Sequence, residues 1–368
     1  MGERSSLQDR KEEHVRICHQ EEVAHRHRYW DDIHLVHEAL PEVDLRDIDL
    51  STELFGKKLQ APIIIAAMTG GYPGAKNINR NLAEAASKTG VGMGVGSQRA
   101  ALKEPATAET YAIVREFKVP LMIGNIGAPQ LIQQGKKSPL TLEQLLQLKE
   151  MIGADIMAVH LNFLQEAAEW DGDTQSKGAL AAIESFSKKL KLIAKETGAG
   201  VSRETARRLM RTSIAGIDVG GAGGTSFAAV EVHRARKLGE SAGTPEEQEK
   251  ARASERLGKA FWNWGIPAPV SVIEIRQLHR TFPVIATGGV CSGLDIARAL
   301  ALGANAAGLA TQFLEPAMKG PETVIEEIEM LKKELRAAML LTGSHDLEAL
   351  ARARYIVSGE CAHWLNQA

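Results

Sequence analysis

The chain has 368 residues, of which 44% are hydrophobic and 24% charged, with a formal net charge of −2. That balance is ordinary for a globular protein with a sizeable core, and it excludes the global basic field expected of a nucleic-acid binder. Three scattered cysteines (Cys18, Cys291, Cys361) give no disulfide or zinc spacing, the start MGERSSLQDRKEEH is too polar for a signal peptide, and no apolar run approaches a membrane span, so a cytoplasmic protein with no membrane or nucleic-acid partner is expected.

Residues 1–60 read as a charged N-terminal extension, helical or irregular, with a histidine-rich piece over 14–37. From residue 61 a beat sets in. Apolar runs at 62–67, 91–95, 120–123, 156–159, 190–194, 214–219, 282–286 and 306–309 each precede a helix-like stretch. Residues 77–88 place Leu82, Ala85 and Ala86 on one face, and 141–152 do the same with Leu142, Leu145, Leu146, Leu148 and Ile152. Eight βα units with strands buried on both faces predict an α/β fold, a (β/α)₈ TIM barrel in a single domain over 1–368, with the barrel's strands and helices over 61–320. An open doubly wound sheet is the rival, but MTGGYPG after the first run is no dinucleotide fingerprint. The charged stretch 234–259 reads as a mobile insertion after the sixth strand, either a lid or plain disorder. Two helices, about 322–341 and 346–364, close the chain.

In a barrel all strand C-termini meet on one face. Here every one of those ends is polar or glycine-rich. The fourth carries His160, Asn162, Gln165 and Glu166 within seven residues, a burst that turn chemistry does not explain. Strand alternation points His160 and Asn162 the same way. Such a set can hold an anion, and the carboxylate can hold a hard cation. Gly288-Gly289 leads into a helix opened by Ser292, and Ala310-Thr311 follows the eighth strand. Together they read as a phosphate cradle between strands seven and eight, with tight helix–strand packing as the alternative. The loop 220–225 could cover a flat ring or bind another anion. Lys195 is either a fixed charge beside an electron-rich cofactor or a carbonyl nucleophile. Arg99 is a natural anion fork. The mouth therefore suggests a phosphorylated cofactor and a separate phosphorylated substrate.

The chain resembles the type 2 isopentenyl diphosphate isomerases. The matching pieces are Arg10-Lys11 with His14, AAMTGG (66–71), MGVGSQRA (93–100), NIGAPQ (125–130), HLNxLQE (160–166), KETGxG (195–200), GGAGGTS (220–226), WGIP (264–267), TGGVxSGLD (287–295), GANAAGLA (303–310) and AMLLTG (338–343). The resemblance implies interconversion of isopentenyl and dimethylallyl diphosphate, in isoprenoid synthesis, with FMN, NADPH and Mg²⁺, in a homo-oligomer of four subunits or more. It places FMN against Ala67, Met68, Thr69, Ser97, Asn125, Lys195 and Thr225, with its phosphate on Gly288, Gly289, Cys291, Ala310 and Thr311. It places the small-molecule diphosphate on Arg10, Lys11, Ser97, Gln98, Arg99, His160 and Asn162. Gln165 then faces the hydrocarbon end and Glu166 binds Mg²⁺. The sequence marks no obvious strong acid beside Gln165, which fits a proton supplied by the cofactor; Glu231 is the side-chain alternative. Three departures stand out. Cys291 replaces a frequent arginine and removes a side-chain phosphate contact, Phe163 replaces a small residue or proline and could tilt Gln165, and Asn263 replaces an aspartate. Two other functions compete. One is a flavin-dependent 2-hydroxy-acid oxidase or dehydrogenase, which needs a histidine base and arginines that ATGGVCSG does not supply. The other is a flavin- or phosphate-binding barrel without turnover.

Overall fold

The computed structural model describes residues 7–367. Its centre is a closed barrel of eight strands, all paired in parallel. In chain order these are β1 (Ile63–Ile65), β2 (Gly92–Gly94), β3 (Met122–Gly127), β4 (Ile156–His160), β5 (Leu192–Lys195), β6 (Gly216–Asp218), β7 (Val284–Ala286) and β8 (Ala306–Leu309). Each lies in or over one of the eight apolar runs, because a strand covered on both faces must be apolar on both.

Alternation sorts the side chains into two layers. Ile64, Leu121, Ile123, Ile156, Ala158, Ile193 and Ile285 form one buried cluster inside the barrel. Their neighbours Ile63, Ile65, Met157, Val159, Leu192, Ala194 and Val284 belong to the larger cluster under the helices. Leu54 and Leu59, from the antiparallel hairpin Thr52–Leu54/Lys57–Leu59, join the inner cluster. Each such leucine, fully buried, contributes about 1.5–3 kcal/mol. The same parity carries Asn125, His160, Lys195 and Thr287, each two residues beyond an inner-cluster position, into the mouth.

The surrounding helices start where the sequence places caps. Thr141 forms a capping box with Gln144 for Leu142–Ile152, and Ser292 accepts from Asp295 N to open Gly293–Ala301. The helix expected over 77–88 spans Ala75–Thr89 and buries Leu82, Ala85 and Ala86.

Two expectations are corrected. Residues 234–259 are helical: Phe227–Ser241 runs through Arg234, and Pro245–Ala260 follows with a Thr244/Glu247 capping box. The charges misled because Arg234 is buried against Glu13 and Glu231 rather than solvated. At the end of the chain, Pro321–Leu340 forms as expected, but 346–364 is not one helix. It is the turn Leu347–Leu350, a strand Tyr355–Val357 and the helix Gly359–Gln367. That strand pairs antiparallel with Ile33–Leu35, tying the C-terminal region to the N-terminal extension. None of the described helices is long and apolar enough to cross a membrane.

Candidate active site

A cavity of about 540 Å³ opens at the C-terminal ends of the strands. Its walls include Ala67, Met68, Thr69 and Ser97 from the ends of β1 and β2, Lys195 from β5 and Thr225 beyond β6. Gly288, Gly289 and Cys291 after β7, and Ala310 and Thr311 after β8, close one end. The N-terminal helix Leu7–Gln20 covers it with Lys11, His14, Val15 and Cys18. Of the residues expected around a flavin, Asn125 alone is not in this wall. It is buried, with Oδ1 2.9 Å from His160 Nδ1.

The glycine end is shaped by contact between loops. Gly288 has φ +99°, and a Cβ there would meet Gly221 O at 2.0 Å; at Gly289 (φ +75°) it would meet Gly223 O at 2.4 Å. Only glycine allows both the left-handed backbone and the approach of the 220–224 loop. The glycine end is therefore closed by tight contact between the two loops. The Cys291 N–H donates to Asp295 Oδ2 at 3.1 Å, and its Sγ lies 3.3 Å from the same oxygen. The expected phosphate contact at Cys291 is corrected: a buried carboxylate already takes that donor. The residues do fit a phosphorylated ring cofactor. The buried Thr197 hydroxyl, in the cavity wall, has no hydrogen-bond partner among the described residues, and the volume lies in the range of cofactor sites.

Register sets His160, Lys195 and Asp218 side by side across β4, β5 and β6. Lys195 Nζ donates to Glu196 O at 3.0 Å. Burial raises the Asp218 pKa, while Lys195 and the Thr287 hydroxyl, which donates to Asp218, oppose the rise. Burial, then Lys195, Lys11 and Arg99, push His160 down to about 3, so its ring stays neutral.

Next to the cavity lies a polar cluster. Lys11 Nζ bonds Gly70 O (2.9 Å), Ser97 O (2.5 Å) and Tyr111 OH (2.5 Å). Burial, then Arg10 and Arg99, lower its pKa to about 7. Arg10 pairs with Glu169 at 3.0 Å, and Arg99 with Asp173 at 2.9 Å. Gln98 does not join them. It is fully buried, its Nε2 donates to Leu148 O (2.8 Å) and its Oε1 accepts from Asn125 N (2.9 Å). The amide ties the segment after β2 to β3 and to the helix Leu142–Ile152 instead of facing a diphosphate, which corrects that expectation.

Gln165 is buried despite Phe163 and is gripped from three sides. Asn162 Nδ2 donates to its Oε1, and its Nε2 donates to Glu231 Oε1 at 2.8 Å and Glu169 Oε1 at 3.3 Å. Gln165 and Glu231 are thus in direct contact. Arg234 lies 3.1 Å from Glu231 and 3.9 Å from Glu169, and His14 Nε2 is 3.1 Å from Glu231. Burial and repulsion from Glu231 raise the Glu169 pKa. Burial alone would raise Glu231 too, but His14, Arg234 and Gln165 outweigh it and hold Glu231 low. The two carboxyls therefore share one negative charge. Glu166 faces the other way, accepting from Asp173 N at 2.6 Å, and burial raises its pKa. Sequence reasoning left out Glu169, Asp173, Arg234 and Tyr111. The acidic spacing after Gln165 was a signal for the first two, while nothing local marks the others.

Relatives match over nearly the full chain. A Thermoplasma acidophilum protein named isopentenyl-diphosphate delta-isomerase is 46% identical over 97% of this chain and 98% of its own. The chain belongs to the isopentenyl-diphosphate delta-isomerase family. Isomerases so named from Archaeoglobus fulgidus (98% of this chain, 99% of theirs) and Methanosarcina barkeri (99% and 95%) are each 43% identical to it. The FMN-dependent dehydrogenase family model matches residues 4–119 and 178–357. Mandelate oxidase (TM-score 0.61, 16% identity, 95% of each chain) and flavocytochrome b2 (TM-score 0.65, 18% identity, 94% of this chain and 83% of that one) share the barrel fold. The HLNxLQE motif (160–166) falls in 120–177, the stretch the dehydrogenase model leaves unmatched, and so does Asp173.

Proposed function

We propose that the chain interconverts isopentenyl and dimethylallyl diphosphate, with FMN in the 540 Å³ cavity and the diphosphate in the adjoining polar cluster. The observation that carries this is the adjacency of the two compartments: Ser97 contributes to the cavity wall, and its carbonyl is held by Lys11, which sits beside Arg10 and Arg99.

Ala67, Met68, Thr69, Ser97, Lys195 and Thr225 would hold the ring, and Gly288, Gly289, Ala310 and Thr311 its phosphate. When bound and reduced, FMN supplies acid–base chemistry at the double bond, and NADPH is the reductant implied. Lys195 places a positive charge beside that electron-rich ring. Arg10, Lys11, Arg99 and Asn162 bind the diphosphate, its oxygens taking the places of the Glu169 side chain on Arg10 and the Asp173 carboxylate on Arg99. Neutral His160 adds a hydrogen bond, with no charge of its own. Half-buried Glu166, beside Asp173, takes Mg²⁺, which offsets the charge a diphosphate adds. The grip of Asn162, Glu169 and Glu231 fixes the Gln165 amide. At neutral pH the Glu169–Glu231 pair retains a proton near it.

The reading is tested by incubating isopentenyl diphosphate in D₂O with FMN-loaded protein, reduced chemically in the absence of oxygen, and Mg²⁺. NMR is expected to show dimethylallyl diphosphate carrying deuterium. No product while the flavin stays bound would sink the isomerase reading, and flavin reduction by a 2-hydroxy acid would favour an oxidase instead.

A further inference from the structure

The N-terminal extension does more than cover the cavity. After the helix Leu7–Gln20, residues 23–30 run as a strap across the glycine loops. Ala24 bridges to Thr225, His25 N donates to Gly224 O (2.8 Å), and Ser226 N donates to Val23 O (2.7 Å). Trp30 Nε1 donates to Gly288 O at 2.8 Å, and Asn263 Oδ1 accepts from Arg26 N at 3.0 Å. The strap therefore rests on both loops that shape the phosphate end.

It delivers a cation there. Arg28 lines the cavity next to Gly288, Gly289 and Cys291. The other cationic side chains in that wall, Lys11 and Lys195, are held elsewhere, by Ser97 O and Glu196 O. Arg28 is positioned by a closed ring of ion pairs. Its Nε lies 3.2 Å from Asp31 and its Nη2 lies 3.3 Å from Asp295, while Arg298 reaches the same two aspartates at 3.2 and 2.8 Å. Asp295 is fully buried and touches the Cys291 amide. A lone carboxylate at that point would repel a phosphate; the ring neutralises it. A guanidinium carries five donors, so the anchoring contacts leave others for an oxyanion.

We propose that Arg28 is the side-chain ligand of the cofactor phosphate, brought by the strap to a cradle that otherwise offers only backbone amides, small hydroxyls and helix N-termini. It would give the site its preference for a phosphorylated flavin over the unphosphorylated one. The inference rests on the reading that the cavity takes FMN with its phosphate at Gly288–Gly289.

The experiment measures dissociation constants of FMN and of riboflavin for the flavin-free protein, by quenching of flavin fluorescence, in the wild type and in Arg28→Gln, Arg28→Lys and Asp31→Asn. Arg28 is half-exposed, so the loss of one charge-assisted contact should weaken FMN about tenfold, leave riboflavin unchanged and flatten the salt dependence of FMN binding. Arg28→Lys should recover part of the loss. Asp31→Asn breaks the same ring but keeps the cation, so its FMN-to-riboflavin ratio should match the wild type. Equal weakening of both flavins in Arg28→Gln, or a reduced ratio in Asp31→Asn, would make Arg28 a mere anchor of the strap and overturn the proposal. An unchanged FMN constant would do the same while leaving the cavity reading intact. A wild type that prefers riboflavin would overturn both.

Discussion

Glu231→Gln probes the carboxyl pair around Gln165. In the wild type, Glu231 is contacted by Gln165 (2.8 Å), His14 (3.1 Å) and Arg234 (3.1 Å), with its side chain 3% exposed. The substitution keeps the shape but turns one acceptor into a donor facing donors. Charged hydrogen bonds contribute about 1.5–3 kcal/mol each, and breaking a buried pair costs about 3–5. Arg234 keeps Glu169, 3.9 Å away, as a partial substitute. A net loss of about 3 kcal/mol near neutral pH is expected. The pH dependence is more diagnostic. The Glu169 pKa is raised, so above its ordinary 4.5 the native protein keeps a proton that the unfolded chain releases. Stability from this group is full below 4.5 and declines as pH rises through the raised value, by at most about 1.4 kcal/mol per pH unit. Removing the Glu231 charge lets Glu169 ionise against Arg10, 3.0 Å away, and Arg234, and should shrink that decline. Glu231 itself acts oppositely in the wild type: its pKa is lowered, so its contribution is present above 4.5 and lost in acid. Urea unfolding at about pH 5.5 and about pH 7.5 reads the difference. An identical pH dependence in variant and wild type would refute the shared-charge account.

Three further outcomes are expected. Gly288→Ala forces a Cβ to within 2.0 Å of Gly221 O at φ +99°, so it should cost about 2–5 kcal/mol in urea unfolding and weaken FMN, and a variant of wild-type stability would contradict the loop contact. Lys195→Ala should weaken reduced FMN more than oxidised FMN, seen as a lower flavin reduction potential; an unmoved potential would count against an electrostatic role. Glu166→Gln should raise the Mg²⁺ concentration needed for half-maximal turnover roughly tenfold or more while FMN stays bound, and an unchanged Mg²⁺ titration would remove Glu166 from the metal site.

The barrel was legible because closed parallel strands need apolar residues on both faces, and few other folds produce eight such runs. The cavity wall was legible for the same reason, since strand ends converge by topology. What stayed hidden depends on closure of the chain. Arg234 reads as a solvated charge until Glu13 and Glu231 are seen against it. The Thr244 and Glu247 capping box was present in the sequence, but the charged composition around it drew attention to a loop. The strand Tyr355–Val357 is short and largely exposed, and it pairs with a strand of the extension. Gln98 follows a serine and precedes an arginine in a polar motif, yet it packs inward and ties the segment after β2 to β3 and to the helix Leu142–Ile152. At Cys291 the sequence suggests a phosphate contact through the backbone alone, whereas in the fold that amide is already taken by Asp295.

The measurement closest to the central claim is anaerobic turnover of isopentenyl diphosphate with FMN, NADPH and Mg²⁺ present and each omitted in turn. The account predicts dimethylallyl diphosphate only when flavin is bound and reduced, with activity restored by a chemical reductant in place of NADPH. Turnover that persists in flavin-free protein would contradict it, and would move the chemistry from the cavity to the side chains around Gln165.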